Sequence, residues 1–145
     1  MQIGTQINIE RSVSVPMADR NQLSESDRNE IINVLHGVAY ILDMHNYDRL
    51  GEVFSGDMHF DNPGRLTADG LDNVISAMKK ISNPAISHHI TNVIIMPDDD
   101  KTVRATSKAL TMRPDKNITA AVYSDVLKKT SEGWRISSRT IRPLP

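Results

Sequence analysis

Apolar residues recur at helical spacing between Leu23 and Asn46 and at alternating spacing from Ser87 onward. The chain therefore divides into a helical first part and a β-rich second part. In "LSESDRNEIINVLHGVAYILDMHN", Ile31, Leu35, Val38 and Leu42 form one core-facing stripe. Ser24 or Ser26 supplies the cap, and Glu25 and Asp27 suit the first turn. "NYDRLGEVF" predicts a short second helix capped by Asn46, and "DMHFDNPG" a brief strand stopped by Pro63 and Gly64. "ADGLDNVISAMKKI" predicts a third helix, capped by Asp69, with Leu71, Ile75 and Met78 facing inward. The runs "SHHITNVIIM", "TVRATSKALTM", "ITAAVYSDVLKK" and "GWRISSRTIR" predict strands, separated by the turn clusters "PDDDK", "RPDKN" and "TSEG". Connections this short favour antiparallel hairpins. Three helices ahead of a meander predict an α+β fold, with the helices packed on one face of a curved, mainly antiparallel sheet.

Residues 1–22 stand apart as an N-terminal arm, polar and with only weak alternation of Ile7, Ile9, Val13 and Val15 before Pro16. A loose arm against a sheet edge or a partner subunit fits that composition, and so does disorder. Residues 23–145 form the single domain, which suits a chain of 145 residues. The net charge of −1 provides no field for nucleic acid or anionic lipid. The absence of cysteine excludes disulfides and thiol catalysis and is compatible with a reducing compartment. No apolar run approaches membrane-spanning length, and the N-terminus lacks a signal-peptide pattern. The expectation is a soluble, cytoplasmic protein with neither a nucleic-acid nor a membrane partner.

Among candidate chemical groups, Asp43 sits where the carbonyl end of the first helix disfavours a negative charge. Helical spacing puts Tyr40, Ala39 and His36 on its side. Asp43 there either borders a cavity, stands as an exposed carboxylate at the helix end, or caps the next helix. His88 and His89 are adjacent on a strand, so they point to opposite faces; alternation puts Ile90, Asn92, Ile94 and Met96 on the face of His88 but does not decide which face is concave. Tyr123 and Asp125 share a strand face, and a tyrosine among apolar neighbours ordinarily fills core. The histidines diverge and no third ligand has recognisable spacing, so no metal is assigned.

"NEIINVLHGVAYILDMHNYDRLGEVFSGDMHFDNPG", "SHHITNVII" and "VYSDVLKKTSEGWRISSRTIRP" together resemble the SnoaL-like, nuclear-transport-factor-2-like superfamily from Leu23 to Pro143. The branch they look closest to holds scytalone dehydratase, hexachlorocyclohexane dehydrochlorinase and bile-acid dehydratase. The resemblance implies a cone-shaped roll, and in that branch a strand histidine is the general base while a helix-end aspartate orients it. Those roles fall on His88 and Asp43, with Asn92 as the partner in the His-x-x-x-Asn phrase. An arginine after the closing tryptophan, placed to stabilise a leaving group or oxyanion, falls on Arg139, and pocket aromatics fall on Phe60 and Tyr123. Val38 occupies the helix position that is a tyrosine in the bile-acid enzyme, and Tyr40 is not at the matching place. Val38, Tyr40, Asn92 and Leu110 complete the expected substrate-binding set. The Arg-x-Asp of the limonene-epoxide-hydrolase branch is incomplete, since Arg104 has no matching aspartate.

The function expected from this set is a cofactor-independent lyase or isomerase. His88 would abstract a proton from a small, largely apolar, oxygenated or cyclic substrate, leading to dehydration, elimination, isomerisation or cyclisation. The alternative expectation is a non-catalytic small-molecule-binding or assembly domain of the same fold. Apolar residues on both faces of the later strands add the expectation of a homodimer through the sheet.

Overall fold

The computed structural model describes residues 23–145. The expected N-terminal arm lies outside the described residues. Helix α1 spans Glu25–Asp43 and is followed by a 3-10 helix, Tyr47–Glu52. Strands β1 (Phe54–Asn62) and β2 (Leu66–Asp69) precede helix α2 (Leu71–Lys79). Strands β3 (Ser87–Pro97), β4 (Thr102–Met112), β5 (Ile118–Thr130) and β6 (Gly133–Pro143) complete the chain. The six strands form one curved sheet in the order β2-β1-β6-β5-β4-β3. All neighbours are antiparallel except β1 and β6, which run parallel.

Ser24 caps α1, its hydroxyl accepting from the Asp27 N–H at 3.0 Å. Ile31, Leu35 and Val38 are buried as the stripe requires, while Leu42 packs at the margin of the core. Trp134, fully buried on β6, ties the sheet to the first turns of α1. Its indole N–H donates to Asp27 Oδ1 at 2.9 Å and its backbone N–H to Glu30 Oε1 at 2.9 Å.

Several local expectations are corrected. The second helix is 3-10, and Asn46 makes no side-chain cap bond. "VF" leaves that helix, because Phe54 already belongs to β1. The tract after Gly64 contains β2, a four-residue strand too short to show alternation. Gly70, at φ 85°, begins α2 in place of Asp69. Asp69 instead pairs with His59 across the β1–β2 ladder, Nδ1 to Oδ1 at 2.5 Å. Val74 and Met78 are the buried residues of α2, with Leu71 and Ile75 packed at the edge of the core.

Hydrogen bonds from Lys129 first and Trp134 second hold the Asp27 carboxyl below the usual aspartate range. A carboxyl depressed in the folded state adds stability above the unfolded pKa, and that stability is lost as pH falls through the folded one. Acid unfolding followed by fluorescence of Trp134, the sole tryptophan, is therefore expected to shift when Asp27 becomes Asn. Identical acid profiles for Asp27→Asn and wild type would contradict this linkage.

Candidate active site

Asp43 is the last residue of α1. The chain leaves the helix through Met44 and through His45, whose φ of 56° is the left-handed turn that commonly closes helices. This exit leaves the Asp43 carboxylate facing β3, one of the two edge strands of the sheet. An edge strand carries backbone N–H groups that no ladder satisfies. Asp43 takes one of them: the His88 N–H donates to Oδ1 at 3.1 Å and to Oδ2 at 3.0 Å. The His88 ring folds onto the same carboxylate, with Nδ1 2.7 Å from Oδ1. The side chains of His88 and Asp43 are 17% and 21% exposed, so the pair is shielded yet reachable.

An ionised carboxylate can only accept, so Nδ1 carries a proton, and in the neutral ring Nε2 then carries the lone pair. Nε2 has no hydrogen-bond partner among the described residues. A cavity of about 260 Å³ borders the pair, lined by His36, Tyr40, Ser87 and Ile90 among others. His36, Ala39 and Tyr40 are the residues helical spacing places beside Asp43, and all three line this cavity. Tyr40 is 75% exposed at its rim. His89 is exposed and also borders this cavity, its Nε2 meeting Ser87 Oγ at 2.9 Å.

A second polar cluster lies inside the core. Arg139 donates from Nε to Asp125 Oδ1 at 2.7 Å and from Nη2 to Oδ2 at 2.9 Å, while its guanidinium carbon sits 4.7 Å from the Tyr123 ring centroid. Arg139 and Asp125 are 1% and 2% exposed. Burial opposes the Arg139 charge, but the Asp125 carboxylate outweighs burial and holds the guanidinium ionised. Burial likewise pushes the Tyr123 phenol up, against the opposing pull of Arg139 and the Thr111 side chain. Thr111 is the β4 residue opposite His88 in register.

Residues 24–140 match the SnoaL-like domain family. The chain belongs to that family. No curated protein matches it in sequence. Among solved structures, a scytalone dehydratase-like protein from Novosphingobium aromaticivorans DSM 12444 superposes with TM-score 0.66 at 20% identity, covering 83% of this chain and 85% of the other. A type 2 hexachlorocyclohexane dehydrochlorinase gives 0.68 at 18% identity, covering 83% and 90%. A cystatin-like-fold protein from Nostoc punctiforme PCC 73102 gives 0.73 at 18%, covering 86% and 96%. At identities this low these superpositions show a shared fold and nothing finer.

The remaining expected site residues are dispersed across this SnoaL-like domain. Val38 and Phe60 belong to the buried apolar cluster, as does Tyr123. Leu110 points to the other face of β4 from buried Val103, Ala105, Ser107 and Ala109, and is 44% exposed. Asn92 is exposed, at φ 52°, where β3 slips register between Thr91 and Ile94. Such a bulge reverses the alternation beyond it, so Asn92 leaves the face of His88 and Ile95 becomes buried. Asp125 is the polar residue to which the sequence assigns no role. Its signal is a carboxylate between Tyr123 and Leu127 on the buried face of an internal strand.

Proposed function

We propose that this SnoaL-like protein is a cofactor-independent lyase or isomerase in which His88 is the general base and Asp43 its orienting partner. The observation that carries the proposal is the 2.7 Å contact between His88 Nδ1 and Asp43 Oδ1, with Nε2 unpartnered beside a cavity. Asp43 selects the tautomer whose Nε2 accepts a proton and stabilises the imidazolium that results. The proton comes from a carbon next to a carbonyl or a leaving group. The electron pair left on carbon then moves onto the carbonyl oxygen as an enolate, or expels the leaving group with its bonding pair. Dehydration, elimination, isomerisation and cyclisation all begin in this way. The similarity to dehydratase-like and dehydrochlorinase structures supports the lyase class.

Arg139 has its fork occupied by Asp125 and its face against Tyr123, so in this reading it positions Tyr123 and does not touch substrate. The direct test is deuterium exchange from D2O into a panel of small cyclic ketones and oxygenated carbon acids. Exchange by the wild-type chain that disappears in His88→Ala supports the base. Equal exchange in both would overturn it.

A second reading, a binding or assembly domain without chemistry, is favoured by the filled interior. Val38, Phe60, Tyr123 and Arg139 are each 6% exposed or less, and the cavity at the pair is small for a ligand site. That reading expects ligand affinity indifferent to both His88→Ala and Asp43→Asn. We further infer that two copies join through the outer face of the sheet, where Leu110 and Ile118 are 44% and 61% exposed. Sedimentation at micromolar concentration is expected to show a dimer, and a monomer there contradicts it.

A further inference from the structure

A second cavity, of about 390 Å³, runs along α1 and shares only Tyr40 with the cavity at Asp43 and His88. Its volume falls in the range of roughly 300–1,000 Å³ common to small-molecule sites. Val34, Gly37, Ile41 and Val53 supply its apolar wall. Gly37 keeps that wall open, since a Cβ there would come within 3.4 Å of Val53 Cγ1.

Glu30, Arg49, Glu52 and Arg135 bring charge to the same space. Arg49 and Glu52 satisfy each other, Nε to Oε1 at 2.8 Å and Nη2 to Oε2 at 2.9 Å. Glu30 and Arg135, both half-buried, do not. Glu30 spends Oε1 on the Trp134 backbone N–H, and its Oε2 has no hydrogen-bond partner among the described residues. Arg135 is held by backbone carbonyls, Nε donating to Gly51 O at 3.1 Å and Nη1 to Trp134 O at 2.9 Å. Its Nη2 has no partner among the described residues. The two side chains converge over Gly133, where a Cβ would overlap Glu30 Oε1 and stand 3.5 Å from Arg135 Nη1. Yet no ion pair joins them. A free acceptor and a free donor, side by side and opposite in charge, match a neutral group with both a carbonyl oxygen and an N–H. A carboxylate would suit Arg135 but set its own charge against Glu30.

We propose that this cavity binds a small neutral molecule carrying a primary amide or lactam on an apolar body. The carbonyl oxygen accepts from Arg135 Nη2, the N–H donates to Glu30 Oε2, and the body rests on Val34, Gly37 and Val53. The site needs neither Asp43 nor His88, so it stands apart from the base reading.

The test is a nitrogen-15 NMR titration of the full chain with benzamide, benzoate and N,N-dimethylbenzamide. The Trp134 backbone N–H reports on the site directly, because it donates to Glu30 Oε1. Benzamide is expected to move that resonance and to bind about tenfold or more tightly than the other two, the range of a charge-assisted contact. The dimethyl amide has no N–H for Glu30, and benzoate is repelled by it. Glu30→Gln, whose amide oxygen can still accept from Trp134, should weaken benzamide and erase the discrimination against benzoate. Arg135→Lys should keep part of the affinity and Arg135→Gln little. Gly37→Leu fills the wall without touching either charge and should block benzamide, which covers the case of an Arg135 variant that does not fold. Benzoate or the dimethyl amide binding as tightly as benzamide overturns the site, and so does benzamide affinity unchanged in Glu30→Gln and Gly37→Leu. His88→Ala should bind benzamide as wild type does. Loss of exchange in that variant with benzamide binding intact separates the base from this site.

Discussion

His88→Ala is expected to lower turnover by about 10²–10⁴-fold, the usual contribution of a positioned general base. Folding should survive, because Asp43 still accepts the backbone N–H of residue 88 through both oxygens, and that link holds the edge strand to α1. Asp43→Asn is expected to produce a loss in the same range by another route. The amide oxygen can keep accepting the backbone N–H, but the negative charge that stabilises the imidazolium is gone. Steady-state rates alongside circular dichroism and thermal melts check both variants. Wild-type rates in either would remove the pair from the mechanism, whereas collapse of the fold would make the pair structural.

Asp125→Ala is expected to cost about 3–5 kcal/mol, the penalty of leaving one member of a buried ion pair without its partner. Both side chains are almost fully enclosed, so solvent cannot replace the lost carboxylate. In a domain of this size each kcal/mol moves the melting temperature by about 2–8 °C, making the loss plain in a thermal melt. The double variant Asp125→Leu with Arg139→Met should recover most of it, since it removes both charges and leaves no orphan. If Arg139 only positions Tyr123, this double variant also retains more activity than His88→Ala. A single Asp125→Ala variant as stable as wild type would contradict the account of the core cluster.

The long elements were legible because their periods were unbroken. The Ile31, Leu35, Val38 stripe and the alternation of Val103, Ala105 and Ala109 are buried where their spacing puts them. The short and irregular pieces were not legible. Strand β2 has four residues, and β1 joins β6 in parallel across a separation in sequence that no local pattern reports. At the site, helical spacing correctly grouped His36, Ala39 and Tyr40 with Asp43. Strand alternation failed for Asn92, because a bulge is a single-residue event that leaves no periodic trace. The pairing of Arg139 with Asp125 is cross-strand register, visible only once β5 and β6 are aligned.

The claim on which the rest depends is that Asp43 holds His88 with its proton on Nδ1 and a bare Nε2 facing the cavity. Nitrogen-15 NMR of the imidazole rings, recorded above pH 8 where histidines are ordinarily neutral, reads this directly. The account expects the His88 Nε2 resonance at an unprotonated position, and a shift towards mixed tautomers in Asp43→Asn. A wild-type spectrum with the proton on Nε2 would contradict it, because that nitrogen could then accept nothing from a substrate.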